Sequence, residues 1–182
     1  VGIVIVNTTI SLDGFIAGRN DEMDWVFDNH FLPDEPVDAI DEVIGTTGAI
    51  LTGRRTYDAG DTSERPETSE LFGGRWSGPQ FVLTHRPHTE QEDGHVTFLS
   101  STIGEAVSTA VKGAKNKNVL VLGANVVQQC LNQNLVDELL LLVMPIVLGD
   151  GISLFGPLDG QFKFQTASVT QAGQTAILRL RR

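Results

Sequence analysis

Two glycines stand where an apolar run gives way to a helix-like pattern, in Thr52-Gly53-Arg54-Arg55-Thr56 and in Leu122-Gly123-Ala124-Asn125. A helix opening leaves backbone N–H groups without intrahelical partners, so such a turn attracts phosphate, and two of them suit a pyrophosphate. Each glycine equally fits the plain need for a tight strand-to-helix turn. Arg54, Arg55 and Arg86 all follow the end of an apolar run. If those runs are neighbouring parallel strands, three guanidinium groups converge, and their forked donors match a 2′-phosphate, favouring NADP over NAD. The alternative is three solvated arginines balancing an acidic chain. No GxGxxG is present, and Asp137-Glu138 follows Gly123 too soon to supply the ribose-binding acid of a Rossmann unit.

Proton donors are sought among the carboxylates. Asp34, Asp38 and Asp41 follow i, i+4, i+7 spacing on a predicted helix, and a carboxyl crowded by like charges rises in pKa and can donate. The same stripe also describes an exposed helix start that tolerates acids. Asp13, in Leu12-Asp13-Gly14, either closes an Asx turn or faces a bound ring. His30, His85, His88 and His95 lack metal-ligand spacing, which predicts no metal site, and Ser11 lacks the GxSxG context of a hydrolase. Trp25 and Trp76 serve equally as pocket walls or core. A lone cysteine, Cys130, makes neither an internal disulfide nor a Cys-rich zinc site, which places the chain in a reducing cytoplasm.

These residues need a scaffold, and 182 residues with 41% hydrophobic content suit a single domain over 1–182. A formal net charge of −10 repels nucleic acid and anionic lipid. The apolar stretch Leu139 to Leu148 is too short to cross a bilayer and is broken by Pro145. Strands are predicted at 3–10, 48–52, 80–84, 96–99, 118–122, 136–147, 162–169 and 176–180, the last two joined by a turn at Gly173. Helices are predicted from Pro33 to about Gly45, briefly after Gly53, from a Thr102 cap with Glu105 in the capping-box position, and over Val126 to Asn132. The polar stretch Gly60 to Gly78 reads as a surface excursion. Together these elements make an α/β fold, a mixed and mostly parallel sheet with helices on both faces.

Assembled in order, Ser11-Leu12-Asp13-Gly14-Phe15-Ile16-Ala17, Met23-Asp24-Trp25, Leu51-Thr52-Gly53-Arg54-Arg55-Thr56-Tyr57, Val121-Leu122-Gly123-Ala124-Asn125, Leu135-Val136-Asp137-Glu138-Leu139 and Pro145-Ile146-Val147-Leu148-Gly149-Asp150-Gly151 resemble the dihydrofolate reductase superfamily. The branch they resemble is the riboflavin-biosynthesis reductase (RibD C-terminal) domain. The resemblance implies a dihydrofolate-reductase-like fold and NADPH as hydride donor. It implies that Gly53, Arg54, Arg55 and Thr56, with Leu83, Thr84, His85 and Arg86, hold the adenosine 2′-phosphate side. Gly123, Ala124, Asn125 and Val126 would hold the pyrophosphate, and Ile16, Ala17 and Gly18 would cover the nicotinamide. Asn7 and Phe15 depart from the pattern, since riboflavin-pathway reductases usually carry a lysine and an arginine there. The expected activity is reduction of a small heterocycle of pteridine or pyrimidine type, such as 5-amino-6-(5-phosphoribosylamino)uracil or a dihydrofolate-like ring, with Asp38, Asp41 or a bound water first in line to bring the proton and Asp13 second. The competing expectation is a non-catalytic NADP(H)-binding module that acts as sensor or assembly partner. A homodimer is implied, with Val136 to Val147 contributing to its interface; neither nucleic acid nor membrane is an expected partner.

Overall fold

Leucine-rich and β-branched runs without polar alternation form strands that must be covered on both faces. The computed structural model, which describes residues 2–33, 35–61, 71–86 and 94–182, arranges them in this way. Its main sheet has the spatial order β5 (Val96–Leu99), β4 (Gln80–Leu83), β3 (Thr47–Gly53), β6 (Asn118–Leu122), β1 (Val4–Ser11), β7 (Glu138–Met144), β10 (Thr175–Arg181), β9 (Gln165–Ala172). From β5 to β7 all neighbours are parallel, while β10 runs antiparallel to both β7 and β9. A separate antiparallel ribbon joins β2 (Phe15–Ala17) to β8 (Ile152–Ser153). The sheet is mixed and mostly parallel, as the sequence predicts.

Five helices are described: α1 (Asp24–Phe27), α2 (Asp38–Thr46), α3 (Arg54–Asp61), α4 (Ile103–Gly113) and α5 (Ala124–Asn132). Side chains alternate across β1, and the two faces therefore bury different partners. Val4, Val6 and Ile10 join Ala106 of α4 and Val126 and Val127 of α5 in one cluster, whereas Ile5 joins Val43 of α2 in the other. Helices thus cover both faces. The capping box of α4 forms as expected, with Thr102 Oγ1 accepting from Glu105 N and the Glu105 carboxylate accepting from Thr102 N.

Three expectations change. Pro33 and Pro36 bias the residues ahead of them toward extended backbone, and the helix starts at Asp38, behind an extended Val37. Asp34 lies outside the described residues, so the carboxylate stripe on α2 reduces to Asp38 and Asp41. The predicted strand 136–147 shortens to β7, which is held between β1 and β10 and is buried at every residue but Val143. Among the described residues the outer strands of the sheet are β5 and β9, the latter exposed from Gln165 to Gln171, and β7 itself has no free edge. Residues 62–70 of the predicted surface excursion lie outside the described residues. Its remainder is not all surface: Leu71, Phe72 and Trp76 pack on the α2 side of the core, and Trp76 Nε1 donates to Thr47 O at 3.1 Å. Among the described residues no helix is long and apolar enough to cross a membrane.

Candidate functional site

Parallel neighbours in register deliver their ends to one edge. Gly53 of β3 pairs with Leu83 of β4, and Thr52 of β3 pairs with Leu122 of β6. The three chain segments that follow therefore leave the sheet side by side, at the carboxyl edge where open α/β sheets bind ligands. A cleft of about 1340 Å³ opens there. Its lining includes Gly53, Arg54, Arg55 and Thr56; Leu83, Thr84, His85 and Arg86; Gly123, Ala124, Asn125 and Val126; and Ile16 with Ala17. Gly18, the remaining residue of the expected cofactor set, is buried beside the cleft, and its N–H donates to Glu22 O at 2.8 Å.

The two helix openings touch. Gly123 has φ +88°, a left-handed conformation that disfavours any side chain, and a Cβ there would overlap Thr56 Oγ1 and approach Thr56 Cβ at 3.3 Å. Opposite it, a Cβ on Gly53 would stand 3.2 Å from Val126 Cγ2. The backbone of one opening thus lies against the first turn of the other, a cradle with N–H donors on two sides. The arrangement fits two linked phosphates, and glycine at both positions is what lets the two openings approach each other.

Cations border the cradle on the β3–β4 side. Arg54 is committed to structure: its Nε donates to Asp58 at 2.6 Å, and its guanidinium lies 5.3 Å over the Phe98 ring. Arg55, His85 and Arg86 are exposed. Thr84 Oγ1 accepts from Arg86 N at 3.1 Å and so fixes the turn that carries the latter two. Arg55 meets a carboxylate across the cleft, with both Nε and Nη2 at 3.0 Å from Asp21 Oδ2.

The other end of the cleft is of different chemistry. Thr8 of β1, Met23, Ile152 and Ser153 line it together with Ile16 and Ala17. It stands three strands from β4, a distance of roughly 14 Å at the usual strand spacing. Long-range contacts build it: β2 pairs with β8, a Cβ on Gly151 would overlap Ala17 O, and Gln128 Nε2 donates to Ser153 O at 3.0 Å and to Leu154 O at 3.2 Å. Thr8, Met23, Gln128, Ile152 and Ser153 are lining residues that sequence reasoning missed. The Met23-Asp24-Trp25 fragment and the Gly149-Asp150-Gly151 motif just before β8 are the signals that pointed toward them.

The expected proton donors do not line this cleft. Asp38 is exposed and Asp41 pairs with Arg75 Nη2 at 2.7 Å, both on α2, which packs across the sheet from α5. Asp13 is a structural acceptor: Ser11 Oγ donates to it at 2.7 Å, Leu148 N at 3.1 Å and Gly149 N at 2.8 Å. The Ser11 hydroxyl foremost, with these amides, lowers its pKa, which makes it a poor acid. Neither Trp25 nor Trp76 lines the cleft; Trp25 is buried, and among the described residues its Nε1 meets no acceptor. Burial pushes the Cys130 thiol up to about 12. Among the described residues no three His, Cys, Asp or Glu side chains gather as a metal ion needs.

The chain is 27% identical over 175 residues to the uncharacterized protein YwjB of Bacillus subtilis (strain 168), covering 96% of this chain and 94% of YwjB. It is 30% identical over 158 residues to the uncharacterized protein YyaP of the same organism, covering 84% and 79%. A putative riboflavin biosynthesis protein from Shewanella sp. PV-4 has a similar structure, with TM-score 0.80, 23% identity and coverage of 99% and 98%. The deaminase/5-amino-6-(5-phosphoribosylamino)uracil reductase of Thermotoga maritima matches at TM-score 0.67 and 15% identity, over 99% of this chain but only 56% of that bifunctional protein. The model of the RibD C-terminal domain matches residues 3–178, and the chain belongs to that family.

Proposed function

We propose that this chain is an NADPH-dependent reductase that transfers hydride to a small heterocyclic substrate of pteridine or pyrimidine type. The observation that carries the reading is the contact of the two helix openings through Gly123 and Thr56, beside Arg55 and Arg86. Backbone N–H groups there neutralise a pyrophosphate, and the two guanidinium groups take a 2′-phosphate in forked hydrogen bonds. Bound NADPH supplies the hydride. At the other end Ile16, Ala17, Met23 and Ile152 exclude water and hold a flat ring in place, and holding reacting atoms within about 3–3.5 Å is the main service such a site renders. A homodimer in the cytoplasm, acting on a small molecule, belongs to the same reading.

A second reading, an NADP(H)-binding module without turnover, is favoured by one observation: Asp13, Asp38 and Asp41 all lie outside the cleft lining. Titration with NADPH by cofactor fluorescence, followed by oxidation assays on a panel of pteridines and pyrimidines, separates the two. Binding with oxidation supports the reductase. Binding without oxidation of any panel member supports the module, and absence of binding defeats both.

A further inference from the structure

The segment after β2 reaches across the cleft mouth. Its base is pinned: Gly18 N donates to Glu22 O at 2.8 Å, and Arg19 pairs with Asp150 of the loop before β8. Its tip, Asn20 and Asp21, takes φ +59° and +64°, the left-handed region that Asn and Asp enter more readily than other non-glycine residues. The Asp21–Arg55 ion pair ties this tip from the β2 side of the cleft to α3 on the β3 side, with both residues among the lining.

We propose that Asp21 is a selectivity determinant of the cleft: its carboxylate occupies the Arg55 guanidinium, and a ligand phosphate must displace it to bind. This rests on the NADPH reading and adds to it. The Asp21 carboxylate is an internal stand-in for a phosphate oxygen, since its anionic Oδ2 takes both Nε and Nη2 of Arg55, donors that a phosphate oxygen would claim. It penalises anionic ligands twice, by holding Arg55 and by adding a like charge to the cleft. The penalty is greatest for the dinucleotide that carries one phosphate more. An exposed pair of this kind, with Arg55 69% and Asp21 36% exposed, is weak enough for a phosphate to break. Displacement frees the tip to move.

The test compares wild type, Asp21→Asn, Arg55→Gln and the double variant, titrated with NADPH and NADH at low salt. Asp21→Asn is expected to tighten NADPH by about three- to tenfold and NADH by no more than about twofold, with the gain lost in the Arg55→Gln background. Rising ionic strength shrinks the gain. An unchanged or weakened NADPH affinity in Asp21→Asn overturns the proposal, as does an equal gain without Arg55. If neither wild type nor Asp21→Asn binds NADPH, the dinucleotide reading falls, and calorimetry with inorganic pyrophosphate decides on Asp21 alone. Tighter pyrophosphate binding by Asp21→Asn upholds the competition of carboxylate with phosphate; equal binding refutes it.

Discussion

The two ends of the cleft are made by opposite strategies. At the β3–β4–β6 end, each wall is a short continuous stretch that leaves a parallel strand and enters a turn or helix, and strand register alone aligns the walls. At the β1–β2 end the walls come from residues as far apart as Thr8 and Ser153, held by a two-stranded ribbon and by side chains reaching backbone carbonyls. The first end offers backbone donors and cations, which suit phosphates shared by many ligands. The second offers methyl groups and neutral polar atoms, which suit one particular ring. Affinity should therefore reside at the first end and turnover at the second.

The largest break in that division comes from Gly123→Ala. A side chain at φ +88° that also overlaps Thr56 costs roughly 2–4 kcal/mol from backbone strain and overpacking. NADPH and NADH binding should be lost alike, as measured by fluorescence titration, along with several degrees of Tm. Adding Thr56→Gly removes the overlap but not the strain, so it should restore part of both losses. No restoration would mean that the two helix openings do not touch. Next in size, Arg55→Ala with Arg86→Ala should weaken NADPH about 150-fold or more, since charge-assisted hydrogen bonds contribute about 1.5–3 kcal/mol each, and leave NADH within about threefold. Equal loss for both cofactors sinks the 2′-phosphate assignment. Arg54→Ala is the contrasting control: its guanidinium serves Asp58 and Phe98, and its removal should lower Tm by about 2–4 °C.

The contrast also explains what was legible in the sequence. Gly53 and Gly123 announce themselves because a turn and a helix start are local events, encoded within five residues. The six parallel strands follow from apolar runs for the same reason. The Ser153 and Gln128 contact is invisible because nothing local to either residue requires it. The carboxylates misled by spacing: Asp38 and Asp41 share a helix face as predicted, but which side of the sheet that helix covers depends on the alternation of Ile5 and Val6 in a distant strand. Asp13 misled differently, because the Leu148 and Gly149 amides that occupy it arrive from the far end of the chain. Nothing local marks Asp21, and its partner Arg55 lies beyond two helices.

A smaller effect sharpens the division at the ring end. Ile152→Ala trims an apolar wall without touching the cradle, so affinity for 2′,5′-ADP should stay unchanged while kcat on a panel substrate falls about tenfold, the scale expected when a bound ring is held less well. A matching loss of 2′,5′-ADP affinity would show that the two ends are not separable.

The smallest effect is one of acidity, and it too should act on the ring end. Asp13 and Asp150 both titrate below their ordinary value of 3.8, Asp13 chiefly through the Ser11 hydroxyl and Asp150 chiefly through the Gly151 amide, with Arg19 next. A carboxylate whose pKa is depressed on folding stabilises the native state fully above its unfolded pKa, and that contribution is lost as pH falls through the folded value. Stability from these two groups is therefore flat from neutral pH down to about pH 4 and declines below it. Since Asp13 clamps the Leu148–Gly149 amides and Asp150 anchors Arg19 at the base of the strap, protonation should loosen Phe15–Ala17 and residues 148–151 before the α3 and α5 openings. Hydrogen exchange between pH 5 and pH 3, corrected for the intrinsic rate, reads this directly. Asp13→Asn should reproduce the loosening at neutral pH with a Tm lower by a few degrees, and should flatten the acid limb of the Tm profile. Uniform loosening of both ends would show that the clamp is not local, and the division between them would lose its structural basis.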